Sequence, residues 1–196
     1  MGIPQTAVTF SFEDYLAWEG GQVEKHEFVR GEIFAMAGAR QAHVTVSGNL
    51  FAAFKSHLRG TPCRAFVADM KLRVEEANAG FYPDVSVTCD RRDHAADLVY
   101  ITHPVLLVEV LSDSTAAYDR GDKFADYRKL PSLQEYAVVD IDAHRVECFR
   151  RNAENRWELY DYTGAETCEF ASIGLVMPMG LVFEDVESEP ASTPNP

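Results

Sequence analysis

Three pieces of one stretch decide how the chain is read: Tyr82-Pro83-Asp84-Val85, the run Val105-Leu106-Leu107-Val108-Glu109-Val110-Leu111, and Asp119, Lys123 and Tyr127 at steps of four. Pro83 restrains Tyr82 to an extended conformation and introduces a strand over 84–88. Val85 and Val87 then face one side of it, and Asp84, Ser86 and Thr88 the other. The run 105–111 is almost continuously apolar, as in a central strand covered on both faces. Strand alternation puts Val105, Leu107, Glu109 and Leu111 on one face, and Leu106, Val108 and Val110 on the other. A carboxylate there is costly to bury alone, and no base lies within the strand. Ser114 or Thr115 can cap a helix running to about Lys129, which Pro131 ends. Asp119, Lys123 and Tyr127 share one stripe of that helix. These features predict two carboxylates met by a divalent cation and by Lys123.

Outward from this stretch, Ser11 is an N-cap for a short helix over 12–19, stopped by Gly20-Gly21. Arg30-Gly31 separates two short runs, 27–29 and 32–36, that read as a β-hairpin. After Gly38 a helix is expected over 41–57, with His43, Ser47, Leu50, Phe54 and Leu58 on one face. The segment 63–74 is one strand or two short ones, 75–80 a turn and 90–102 a loop. Downstream, 135–140, 146–150 and 157–162 form an antiparallel meander, and 169–183 holds one or two short strands. The order gives an α/β domain with a mixed sheet flanked by helices. One domain covers residues 1–186, and 187–196 is an acidic, proline-containing tail expected to be disordered.

The chain has 196 residues and a formal net charge of −13. That balance counts against tight, sequence-blind DNA binding by an isolated monomer, because such proteins carry a basic face. No apolar run approaches the roughly 20 residues that span a bilayer, and the N-terminus shows no signal peptide, so a cytoplasmic protein is expected. Cys63, Cys89, Cys148 and Cys168 lack zinc-like spacing and are expected to be reduced, packed thiols.

Each candidate residue has a structural as well as a functional reading. Glu109 is a metal ligand or catalytic carboxylate, or the partner of a distant base. Asp84 is its companion ligand, or only a turn-former after proline. Two nearby carboxylates with room for water suit Mg²⁺ or Mn²⁺. Lys123 is directed by Asp119 toward the site, or forms a weak surface pair with it. Glu27 is a site acid or an exposed hairpin residue. His43 lines the site or is a satisfied helix-start histidine. Asp69 is a weaker acidic candidate.

Pro83-Asp84, then Glu109-Val110-Leu111-Ser112, then Asp119-x3-Lys123-x3-Tyr127, then Glu135-Tyr136-x3-Asp140 resemble the Uma2 family of restriction-endonuclease-like PD-(D/E)xK nucleases. Glu27-x3-Gly31-Glu32 and His43 belong to the same resemblance, which covers most of residues 10–185. It implies a mixed central sheet flanked by helices and metal-dependent cleavage of nucleic acid, DNA being the expected substrate. Asp84 and Glu109 would hold Mg²⁺ (or Mn²⁺) with the backbone carbonyl of Val110, and Glu27 and His43 would line the site. Strict spacing would put the lysine at position 111, where this chain has Leu111. Lys123 is then the displaced lysine, delivered from the following helix. The competing expectation is a nuclease-fold binding or regulatory module that does not cleave. A homodimer is compatible with the strand edges of the meander and would assemble a basic groove that a monomer lacks.

Overall fold

The computed structural model describes residues 10–36, 38–112 and 115–186. The expected tail and the proposed Ser114 cap lie outside them. Helix α1 (Phe12–Glu19) begins at Ser11, whose side chain accepts from the Asp14 N–H while Asp14 reciprocates in a capping box. The hairpin β1 (His26–Val29) and β2 (Glu32–Ala35) turns through Arg30 and Gly31, both at positive φ. Two positive-φ residues make the tight turn that matches strand twist. Helix α2 (Gln41–His57) has the expected bounds.

Then come β3 (Arg64–Val67), β4 (Lys71–Val74), β5 (Ala79–Phe81), β6 (Val85–Thr88), β7 (Tyr100–Ile101) and β8 (Pro104–Val110). Residues 63–74 thus form two strands, and β5 and β7 arise where a turn and a loop were expected. The helix after β8 is not regular. It comprises α3 (Ala116–Tyr118), a π-helical turn (Asp119–Lys123) and α4 (Phe124–Tyr127). Thr115 precedes it without a side-chain cap bond. The meander follows as β9 (Glu135–Asp140), β10 (Arg145–Arg151) and β11 (Trp157–Asp161), paired antiparallel as expected. Finally β12 (Thr167–Phe170) pairs with β13 (Leu175–Pro178), before α5 (Met179–Val182).

A six-stranded sheet in the order β11-β10-β9-β8-β6-β3 is the centre of the molecule. It is mixed: β8 runs parallel to β9, joined through the helical segment, while its other pairs are antiparallel. One face buries Val85, Val87, Leu106, Val108 and Val110 against Val46, Leu50 and Phe54 of α2 and against Phe170, Met177 and Val182. The other face packs Leu107, Leu111, Tyr136 and Val138 against Phe124 and Tyr127, and against Leu72 and Phe81 of the second sheet. That sheet has the order β2-β1-β5-β4-β7. It carries α1 through a small cluster of Phe12, Tyr15 and Phe28. A Cβ at Gly80 would lie 2.6 Å from the Phe12 ring, so β5 needs glycine where α1 crosses it. Among the described residues, no helix is long and apolar enough to cross a membrane.

One expectation is corrected. Cys63 and Cys89 are joined in a disulfide, while Cys148 and Cys168 are free and buried. Strands β3 and β6 pair with Arg64 opposite Thr88. One step further in the same register, Cys63 falls opposite Cys89, within reach for a cross-strand bond.

Candidate active site

Strands β6 and β8 pair antiparallel, with Val85 opposite Val108 and Ser86 opposite Leu107. Continued by one residue, that register puts Asp84 opposite Glu109 on one face, at a Cβ separation of about 4.5–5.5 Å. Asp84 Oδ2 accepts a hydrogen bond from the Val110 N–H at 2.8 Å and lies 3.3 Å from His43 Nε2. His43 stands in the first turn of α2, so that helix is aimed at the start of β6. Burial alone would lower its pKa. The Asp84 carboxylate, the Val110 carbonyl and Asp119 outweigh burial and raise it above the usual histidine value. Asp84 is thus more than a turn-former, and His43 is satisfied by the candidate site itself.

Glu109 is 4% exposed. Its Oε1 accepts from the Tyr127 hydroxyl at 2.6 Å and lies 3.0 Å from Lys123 Nζ. Lys123 is equally buried, with Nζ also 2.9 Å from Glu27 Oε1 and 3.7 Å from Asp119 Oδ1. The weak surface pair is therefore not what forms: Lys123 is surrounded by three carboxylates from three elements. Glu27 likewise is not an exposed hairpin residue. The tight β1–β2 turn projects Arg30 onto buried Asp126 of α4, at 2.7 and 2.9 Å, and this clamp sets the hairpin beside the helix that carries Lys123. Glu27 Oε1 also accepts from the Tyr82 N–H at 3.4 Å. Asp69 is outside the cluster, exposed and paired with Lys25.

Asp119 and Lys123 bound a π-helical turn, and both point inward. Its wider ring displaces a backbone carbonyl, and that of Asp119 accepts from the buried Tyr136 hydroxyl at 3.0 Å. The sequence placed Tyr127 on the stripe of Lys123 without giving it a partner, and showed Tyr136 only as a motif residue. The i+4 step from Lys123 to Tyr127 is the signal that could have placed the first of them at Glu109.

Electrostatically the cluster is unbalanced. Asp84, Glu109, Glu27 and Asp119 confront one ammonium and one imidazole. Burial raises the Glu109 carboxyl well above the ordinary range, opposed by Lys123 and reinforced by the other carboxylates. Asp119 is raised for the same first reason, with Lys123 and the Thr115 hydroxyl opposing. Lys123 loses to burial and gains more from Glu109, Glu27 and Asp119, so it stays protonated. Among the described residues no group of three His, Cys, Asp or Glu side chains has metal-binding geometry. The donors at hand are two carboxylates, Asp84 and Glu109, and the Val110 carbonyl, which faces His43. Such hard oxygens suit a cation that keeps several waters, so these residues fit Mg²⁺ or Mn²⁺. A cavity of about 410 Å³ lies beyond the end of β8, lined by Arg40, Leu111, Ser112, Ala116, Asp140 and Ile141 among others.

A mixed sheet enclosed by helices, with acidic residues converging at the edge of its central strands, defines a restriction-endonuclease-like fold. A solved structure from Anabaena variabilis, described as a "putative nuclease belonging to DUF820", matches it with a TM-score of 0.75 over 89% of this chain and 97% of that one, at 15% identity. Residues 12–182 match the Uma2 family, described as "Putative restriction endonuclease", and the chain belongs to that family. Two proteins of Synechocystis sp. (strain ATCC 27184 / PCC 6803 / Kazusa) are similar along nearly the whole chain. "Uncharacterized protein slr1290" is 39% identical over 87% of this chain and 90% of its own. "Uncharacterized protein sll1609" is 34% identical over 84% and 93%.

Proposed function

We propose that the protein hydrolyses phosphodiester bonds of nucleic acid, DNA foremost, in a reaction that depends on Mg²⁺ or Mn²⁺. The observation that carries this reading is the charge imbalance: four carboxylates share one buried ammonium and one imidazole. A buried excess of negative charge is costly unless a cation or a shared proton completes the site, and the hard oxygen donors gathered here favour the cation. Asp84 and Glu109, with the Val110 carbonyl, would hold that cation, which would supply Lewis-acid polarisation of the scissile phosphate.

The side chains divide the remaining work. Tyr127 fixes the Glu109 carboxylate, and the Val110 N–H fixes that of Asp84. His43 bonds Asp84 and the Val110 carbonyl, and so orients both donors. Glu27 and Asp119 hold Lys123 on the face of Glu109. Held by three carboxylates, the Lys123 ammonium serves to position the attacking water or to offset charge on the phosphate.

Asp84→Ala and Lys123→Ala are expected to leave a folded protein without Mg²⁺-dependent cleavage of DNA, read on gels beside circular dichroism. Undiminished cleavage by either variant overturns the assignment. The net charge of −13 favours a second reading, a binding or regulatory module with the same fold. Calorimetric titration separates the two, since absence of Mg²⁺ and Mn²⁺ binding by the folded wild type supports the second.

A further inference from the structure

At the far end of α2 lies a second cavity, of about 420 Å³, with a different character. Lys55, Arg59, Arg64, Arg91 and His94 line it, with Gly60, Thr61, Pro62 and Cys63 in its wall. Four of the chain's 18 lysines and arginines are gathered there, and none of its 31 acidic residues. The cations come from three separate parts of the chain: the end of α2, the start of β3 and the turn after β6. Complementing the helix dipole explains Lys55 and Arg59 at most, because Arg64 and Arg91 belong to other elements.

The nearby acids are occupied elsewhere. Arg92 holds Asp90 at 2.6 Å, and Asp93 is buried, accepting from Thr88 and from the N–H groups of Thr102 and His103. Lys55, Arg59 and Arg91 have no ion pair among the described residues. Arg64 donates to the His94 carbonyl at 2.7 Å, and His94 Nε2 is buried without a hydrogen-bond partner. The Cys63–Cys89 disulfide ties the Pro62–Arg64 wall to the end of β6. The Leu58 carbonyl, which would repel an anion, is bonded by the Thr61 hydroxyl at 2.8 Å. No Phe, Tyr or Trp side chain lines the cavity, so charge rather than a broad aromatic platform is what it offers a ligand.

We propose that this basic cavity is a phosphate-anchoring subsite, which grips the backbone of a polynucleotide at a distance from the scissile bond. The proposal rests on the nuclease reading above and adds a second point of contact to it. From His43 to His57 at the end of α2, fourteen residues give a rise of about 21 Å, and Arg59 lies in the turn just beyond. That distance corresponds to about six base pairs at the usual ~3.4 Å spacing. The helix between them has no acidic residue in its whole sequence, and Gln41, Val44, Gly48, Ala52 and Lys55 form an exposed stripe leading to Arg59. The chain as a whole is acidic, yet it has a local basic feature that composition averages away.

The test compares wild type with Arg59→Glu/Arg91→Glu, neither residue belonging to the candidate active site, with melting curves to confirm folding. Fluorescence anisotropy with 6- and 20-nucleotide DNA and RNA, single-stranded and duplex, is recorded against salt. Hydrolysis of bis(p-nitrophenyl) phosphate with Mn²⁺ reports the catalytic site alone. The expected result is weaker binding of the 20-mers only, with the salt slope reduced by about one per arginine and model-diester hydrolysis unchanged. Equal binding of 20-mers by both proteins overturns the anchor, even if the diester is hydrolysed. A wild type that hydrolyses no diester but binds 20-mers through Arg59 and Arg91 overturns the nuclease reading and upholds the anchor. The DNA and RNA arms identify which backbone is gripped.

Discussion

Two buried glutamates on adjacent parallel strands are handled in opposite ways. Glu135 on β9 is fully buried, and both of its oxygens are accounted for. Arg150 Nε donates to Oε1 at 2.9 Å, and the Ser172 N–H and hydroxyl donate to Oε2 at 2.9 and 2.8 Å. Burial works against the Arg150 charge, and Glu135 more than restores it. Arg150 also reaches Glu169 at 3.1 Å, but that carboxylate is half-exposed, so a single buried carboxylate meets the guanidinium. On β8, Glu109 shares Lys123 with Glu27 and Asp119 and faces Asp84 across the ladder. Burial of a carboxylate is therefore no signature of function in this molecule. What distinguishes β8 is a deficit of positive charge.

The comparison can be broken by stability measurements. Glu135→Ala leaves Arg150 without its buried partner and is expected to cost about 3–5 kcal/mol in urea unfolding. Glu109→Gln removes one of several carboxylates while Lys123 keeps Glu27, so its cost should stay within about 1 kcal/mol. Equal losses in the two variants would mean that the β8 cluster is a balanced ion pair like its neighbour. The next effect is smaller and specific to one side. Mg²⁺ or Mn²⁺ at about 100 times its dissociation constant should stabilise wild type by about 2.7 kcal/mol. Asp84→Asn/Glu109→Gln should lose that shift, and Glu135→Gln should keep it, as read from melting curves.

Local chemistry made much of this legible in the sequence. Ser11 and the face of His43, Leu50 and Phe54 fixed the bounds of α1 and α2, and Arg30-Gly31 fixed the hairpin. The alternation in β8 placed Glu109 on the face of Leu107 and Leu111, where it is found. The rest depends on pairings between distant segments. β5 and β7 have three and two residues, and only their neighbours make them strands. The Cys63–Cys89 bond and the Asp84–Glu109 juxtaposition each follow from a strand register that no local pattern encodes. The π-helical turn breaks the regular helix that the sequence presents, while Asp119, Lys123 and Tyr127 still meet around Glu109 as one stripe. The basic cavity gathers residues spread over 40 positions, from Lys55 to His94, so a net charge of −13 conceals it.

The finest distinction between the two glutamates lies in what orients them. Glu135 is held by an arginine and a serine on the same side of the sheet, whereas Glu109 owes its orientation to a single neutral donor, the Tyr127 hydroxyl. Tyr127→Phe keeps the ring packed edge-on against Phe81 and against Tyr136, so the loss of stability should be only about 1 kcal/mol. The carboxylate then has only Lys123 to direct it. If Glu109 acts by presenting an oxygen to a cation, cleavage and Mg²⁺ affinity should fall together in this variant, by more than the small stability change accounts for. A Tyr127→Phe protein that unfolds slightly earlier but binds Mg²⁺ and cleaves as wild type would reduce Tyr127 to packing. Glu109 would then have to be positioned by Lys123 alone.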